Sequence, residues 1–168
     1  IHVPHVDSAA EAQRVVDACR YAPLGKREMS LGRAINYDIT NLTKYVADSN
    51  EQLLLVVMIE SVEAVERVDE IAAVPGIDVL HMGTADLTHS MGLSVGQDYP
   101  EVAEAILRVL AAAKKHGVAV GIPTEDAEEV ADWTAKGVRY FEADTPDYLL
   151  RHIWADREAT LKQIFDRM

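Results

Sequence analysis

The chain has a single cysteine, Cys19, in 168 residues. One thiol cannot close an internal disulfide, so nothing here depends on an oxidising compartment and the expectation is the cytoplasm. Long hydrophobic runs are missing too. None approaches the roughly 18 to 20 apolar residues that a membrane span needs, and no basic segment leading into an apolar stretch reads as a secretory signal. Positive charge is scarce: 16 Lys and Arg stand against 28 Asp and Glu, a formal charge of -12. A field of that sign repels polyanions, which argues against nucleic acid and anionic membranes as partners. Small anionic substrates answer to the local field and stay open. Two phosphate-binding signatures are also absent, because no G-x-G-x-x-G follows the first apolar run and no G-x-x-x-x-G-K-[ST] occurs anywhere.

What is present reads as one domain over residues 1–168, with an ordinary 49% apolar and 26% charged composition. Apolar runs rich in β-branched residues recur, each followed by a stretch of helical period. The spacing predicts strands over 1–6, 53–59, 77–82, 118–122 and 138–143. Helices are expected from Ser8 to about Tyr21, over 35–49, over 62–74, from Asp98-Tyr99-Pro100 to His116, over 125–136, and from Thr145 to the C-terminus. Ser8 with Glu11 makes a capping-box start, and Pro75-Gly76, Gly117 and Gly137 are stops. The chain opens on Ile1 inside what already reads as a strand, which leads us to expect a piece of a longer protein.

Five strands alternating with helices predict parallel βαβ units, in either a barrel or a doubly wound open sheet. Polar residues gather just after the strands: Glu60-Ser61, Gly83-Thr84-Ala85-Asp86, Thr124-Glu125-Asp126 and Glu142-Ala143-Asp144-Thr145. In both architectures that rim is where chemistry is done, and periodicity does not separate the two.

Glu60 and Asp86 follow consecutive strands. Neighbouring parallel strands lie about 4.8 Å apart, so two carboxylates at their ends can converge on one hard, oxygen-preferring cation such as Mg²⁺ or Mn²⁺. The small-residue block Gly83–Asp86 adds backbone N–H groups that can form an anion nest. An acidic residue after a buried strand is otherwise a helix cap or a solvated loop charge, and the paired placement is what favours a site. Lys26, Lys44, Lys114, Lys115, Lys136 and Lys162 include no buried strand lysine, which disfavours imine chemistry.

The segments IHVPHVDSAAEA, RYAPLGKR and VVMIESVEAVERVDEIAAVPGIDVLHMGTADLTHSMG, with Tyr99-Pro100-Glu101-Val102 downstream, resemble the HpcH/HpaI aldolase family across essentially the whole chain. These are class II, metal-dependent pyruvate aldolases related to the citrate lyase β-subunit and phosphoenolpyruvate-mutase barrels. The resemblance implies a (β/α)8 TIM barrel, of which this chain would hold the C-terminal five strands. It implies a divalent-cation site (Mg²⁺ or Mn²⁺, with Co²⁺ a third candidate) at Glu60 and Asp86, and a substrate carboxylate held by the Gly83, Thr84, Ala85 and Asp86 block. It also brings Arg27, from a P-x-G-x-R loop, to the rim. The implied reaction makes or breaks a C–C bond in a 4-hydroxy-2-oxo acid through a pyruvate enolate, with pyruvate and an aldehyde as small-molecule partners. Met58 stands where the family commonly has Gln, Thr84 where it has Pro, and His81 and His5 where apolar residues are usual. The general-base histidine and the enolate-stabilising arginine belong, in the family, to strands before Ile1. Two alternatives remain: an acyl-CoA lyase of the citrate lyase β type, and a truncated, non-catalytic barrel that binds metal or 2-oxo acid. The last segment, 147–168, carries apolar residues at helical spacing. By the same resemblance it is expected to exchange with a neighbouring subunit in a homo-oligomer.

Overall fold

The computed structural model describes residues 1–168 apart from 36, 38–39, 96–98, 125–126, 144 and 167–168. The strands are β1 (His2–Val3), β2 (Val56–Ile59), β3 (Val79–Met82), β4 (Ala119–Thr124) and β5 (Tyr140–Ala143). The helices are α1 (Ala9–Cys19), α2 (Leu42–Gln52), α3 (Val62–Glu66), α4 (Val68–Ala72), α5 (Thr84–Ser90), α6 (Pro100–His116), α7 (Ala127–Lys136) and α8 (Pro146–Phe165).

All pairings are parallel and the spatial order is the chain order, β1-β2-β3-β4-β5. A doubly wound sheet would reverse its stepping once, at a switch point. This sheet never does, so it is an arc of a (β/α)8 barrel. Alternation divides the strand residues between two faces. Val57, Ile59, Leu80, Met82, Val120 and Ile122 face the helices and join Val16, Ile71 and Val109 in one core cluster. Burying a side chain of this kind stabilises by roughly 1.5–3 kcal/mol. The alternate residues, among them Met58, His81, Gly121 and Tyr140, point to the concave face.

Local chemistry explains several helix ends. Ser8 accepts a hydrogen bond from the Glu11 N–H, and Ser61 from the Ala64 N–H at 2.9 Å. Pro100 opens α6, and Gly117, at φ 73°, closes it in the left-handed conformation that glycine adopts without strain.

Several expected boundaries need correction. β1 covers two residues instead of six, because Pro4 has no N–H to donate and His5 turns to a φ of 53°. The expected 35–49 helix is a single 3-10 turn, Arg33–Ile35, followed by α2. The expected 62–74 helix breaks at Arg67, whose φ/ψ of -100°/9° is non-helical. α5 occupies what reads as a turn in the sequence. The expected helix starts at Asp98 and Glu125, and the rim positions Asp126 and Asp144, lie outside the described residues.

The rim at the strands' N-terminal ends is tied by Arg20, which is 3% exposed. Its guanidinium donates to the Gly76 and Asn50 carbonyls and to the Asp78 carboxylate, which also accepts from the Leu55 N–H. Arg20→Met leaves these acceptors without their cation. We expect it to lower the unfolding free energy by roughly 2–4 kcal/mol, with Asp78's partial exposure softening the loss. Urea titration measures this, and an unchanged midpoint would contradict it.

Candidate functional site

Glu60 follows β2 directly and is 3% exposed despite its charge. Alternation puts it on the concave face with Met58, at the C-terminal end of the strands. Its Oε1 accepts the His5 backbone N–H at 2.7 Å, and His5 Nδ1 lies 3.2 Å from the same oxygen. His5 sits in left-handed backbone, which is unfavourable for a side-chain-bearing residue and persists where the surroundings hold it. The β1–α1 loop is also fastened to the β2–α3 loop, because the Ser61 hydroxyl donates to the Asp7 carboxylate. These contacts hold the Glu60 side chain in place.

On its other side Glu60 meets Gly83. A Cβ at position 83 would lie 2.5 Å from Glu60 Oε2 and 2.7 Å from Glu60 Cβ, so the carboxylate occupies the space that only glycine leaves. Gly83 is the N-cap of α5, and Asp86 lies in the helix's exposed first turn. The N–H groups of Thr84, Ala85 and Asp86 precede the first intrahelical bond, in which the Leu87 N–H donates to the Gly83 carbonyl. The nest expected from the sequence is therefore the open first turn of a helix. Glu60 and Asp86 thus sit on one rim, after adjacent strands whose register pairs Ile59 with Met82.

Arg27 does not join them. Its backbone N–H donates to the Arg20 carbonyl, and Arg20 is bound to Gly76 and Asp78, which precede β3. Arg27 therefore belongs to the opposite rim, where it stacks over Tyr21 at 4.7 Å. The P-x-G-x-R resemblance carries no information on which rim the loop occupies, and α1 takes the chain from one rim to the other.

Among the described residues no group of three or more His, Cys, Asp or Glu side chains forms a metal cage. The acidic pair suits a different type of site, in which one or two carboxylates bind Mg²⁺ and substrate or water oxygens complete the octahedron. The cradle at Gly83 and the all-oxygen donor pair both fit such a cation. A cleft of about 540 Å³ opens beside Thr84 and Ala85. Ile106 and Ile122 in its wall place it on the helix side of the sheet, behind the rim.

The concave face also brings together polar residues that lie far apart in the sequence. His81, on β3, is 1% exposed, with Nε2 3.1 Å from Glu142 Oε2 on β5. Burial pushes its imidazole below the ordinary value near 6.5, with Glu142 opposing and His2 adding to the shift. As pH falls the unfolded chain therefore binds this proton first. The stability that His81 contributes is complete above about pH 6.5 and is lost as pH falls through that value toward the lower folded one. His81→Leu is expected to flatten the fall of the denaturation midpoint between roughly pH 7 and 5. An equally steep fall in the variant would contradict this.

A parallel barrel arc with a buried glutamate and an aspartate on its C-terminal rim defines a class of barrel proteins whose chemistry is done at the strand ends. Residues 1–141 match the family HpcH/HpaI aldolase/citrate lyase, and the chain belongs to that family. It is 40% identical over 154 residues to a hydroxypyruvate/pyruvate aldolase of Delftia acidovorans, covering 89% of this chain and 55% of that protein. It is 38% identical over 136 residues to a 5-keto-4-deoxy-D-glucarate aldolase of Citrobacter koseri, covering 79% of this chain and 52% of that protein. Among solved structures, an HpcH/HpaI aldolase from Desulfitobacterium hafniense superposes with a TM-score of 0.89 at 28% identity, over 96% of this chain and 62% of that one. The chain thus spans about half the length of the curated relatives it matches.

Proposed function

We propose that the protein carrying this chain is a divalent-metal-dependent aldolase that cleaves or forms a C–C bond in a 4-hydroxy-2-oxo acid, with pyruvate as the 2-oxo acid partner. The observation that carries the reading is the Glu60 carboxylate, buried and aimed by His5 and Gly83 at the rim where Asp86 begins the next unit. The relatives' names, which include pyruvate and keto-acid aldolases, agree with it.

Glu60 and Asp86 would hold the cation, Mg²⁺ or Mn²⁺ first and Co²⁺ third, and when bound it supplies Lewis acidity to the 2-oxo carbonyl. The chain's own residues do the rest of the positioning. Gly83 leaves the carboxylate its place, and His5 turns one oxygen of it. The open amides of Thr84, Ala85 and Asp86 would donate to the substrate carboxylate. The family resemblance assigns the proton-moving histidine and the enolate-stabilising arginine to other strands of the barrel. The test is aldol addition of pyruvate to a short aldehyde by the whole protein, before and after chelation. Activity lost with chelation and restored by Mn²⁺ is expected. Turnover that survives chelation, or turnover only of a CoA thioester, sinks the reading.

The working form is a cytoplasmic homo-oligomer in which α8 docks on a second copy. α8 buries none of its residues, although Leu150, Ile153, Trp154 and Phe165 are 56–70% exposed. Truncation before Asp147 is expected to reduce the assembly by sedimentation, and an unchanged assembly rules this role out.

A further inference from the structure

Deeper in the concave face, beneath the acidic rim, four polar side chains gather where barrel interiors usually hold layers of Val, Ile and Leu contributed by alternate strands. His2 on β1, His81 on β3 and Tyr140 on β5 form such an alternate-strand layer. The ring centroids of His81 lie 5.3 Å from His2 and 5.9 Å from Tyr140, and those of His2 and Tyr140 are 5.5 Å apart. His2 Nε2 and the Tyr140 hydroxyl are 2.8 Å apart. Glu142 reaches into the layer from the rim end of β5, with Oε2 3.1 Å from His81 Nε2.

The layer is built into the backbone. A Cβ at Gly121 would come within 2.7 Å of the Tyr140 ring and 2.8 Å of His81 Nδ1, so β4 gives up a side chain to admit both rings. The layer also carries an unmet polar atom: His81 Nδ1 is buried with no hydrogen-bond partner among the described residues. A purely structural layer would not leave that atom unmet, since a buried polar group without a partner destabilises.

Alternation sets its direction. Phe141 packs against the helix-side core, so Tyr140 and Glu142 face inward. Ile59 belongs to that same core, so Glu60 faces inward as well. Glu142 and Glu60 therefore face the same concave side, from the C-terminal ends of β5 and β2.

We infer that Glu142, held by His81, is the contact for a hydroxyl group on the acceptor half of the aldol reaction, and that the acceptor is a neutral hydroxyaldehyde. This rests on the aldolase reading above. An ionised carboxylate only accepts hydrogen bonds, so it selects a hydroxyl donor, and its charge disfavours an acceptor that carries its own carboxylate. His81 is a positioning residue: buried and neutral, it offers Glu142 one N–H and fixes which way the carboxylate leans.

The test compares kcat/KM for pyruvate addition to glyceraldehyde and to propanal, which share a chain length and differ in hydroxyl groups, in the whole protein. The native protein is expected to prefer glyceraldehyde. Glu142→Leu should cut that preference by about tenfold or more, mainly through the KM for glyceraldehyde. His81→Leu should cut it less, and His81→Gln, whose amide can still donate to Glu142, should recover part of it. A preference that stays within twofold in Glu142→Leu, or both aldehydes falling together, overturns the inference. If His81→Leu fails to fold, Glu142→Leu decides alone. Deuterium exchange into the methyl group of pyruvate needs no aldehyde and separates the two levels. If the native protein shows no exchange, the aldolase reading and this inference fall together, whereas exchange with a flat preference overturns the inference alone.

Discussion

Glu60→Gln is expected to abolish divalent-cation binding. Calorimetric titration with Mn²⁺ in the presence of pyruvate should show affinity reduced by at least about 100-fold, since loss of a ligand exceeds the 10–100-fold typical of losing a ligand's supporting partner. The substitution is clean for a structural reason. The amide oxygen of glutamine still accepts the His5 N–H, so the bond that orients position 60 survives and only the charge and one donor oxygen are lost. Asp86→Asn should act in the same direction. Its side chain lies in the exposed first turn of α5, so little of its effect can be blamed on folding. Tight binding that persisted in both variants would leave the acidic pair without a role in the site.

Gly83→Ala has the second largest expected effect. The φ of Gly83 is -78°, which any residue adopts, so the penalty is one of contact and not of backbone strain. The new methyl would meet Glu60 at both ends of its side chain, 2.5 Å from Oε2 and 2.7 Å from Cβ. The oxygen can swing away, but the Cβ is fixed to the strand end. Overpacking of this kind destabilises by roughly 1–3 kcal/mol, and the swing takes the carboxylate from its place. We expect Gly83→Ala to lose stability and cation affinity together. Gly92→Ala is the control: nothing lies within 4 Å of its Cβ position, so only the strain of φ 75° applies and the cation should bind as before. Equal cation affinity in the two variants would contradict the cradle.

The strands and long helices were legible because each carries a local signal. The run Leu53-Leu54-Leu55-Val56-Val57-Met58-Ile59 is apolar on both faces as a covered strand must be, and Pro100 and Gly117 bracket α6. What escaped depends on contacts between distant segments. Barrel and open sheet place polar residues after strands alike, and only the unbroken spatial order of β1 to β5 distinguishes them. α5 was missed because Gly83-Thr84-Ala85 looks like a turn. The burial of Leu87 and Thr88, a tertiary effect, holds it as a helix.

The acidic pair was legible from its position after consecutive strands, but its supports were not. In the sequence His5 is only a departure from the family's usual apolar residue, and the two roles of Gly83, helix cap and cradle, appear only when Glu60 is set against it. His81 stands out in the sequence as a histidine within an apolar strand. Its partners come from residues 2, 140 and 142, and no sequence window contains them all. A signal did exist in Gly121, a glycine inside a strand, which often marks a close approach by something bulky.

The shared cation is tested most directly by anomalous scattering from crystals of the whole protein grown with Mn²⁺ and pyruvate. One peak is expected at ordinary metal–oxygen distance, roughly 2–2.5 Å, from a carboxylate oxygen of each of Glu60 and Asp86. A peak that touches only one of them, or that lies at a different rim, would contradict it.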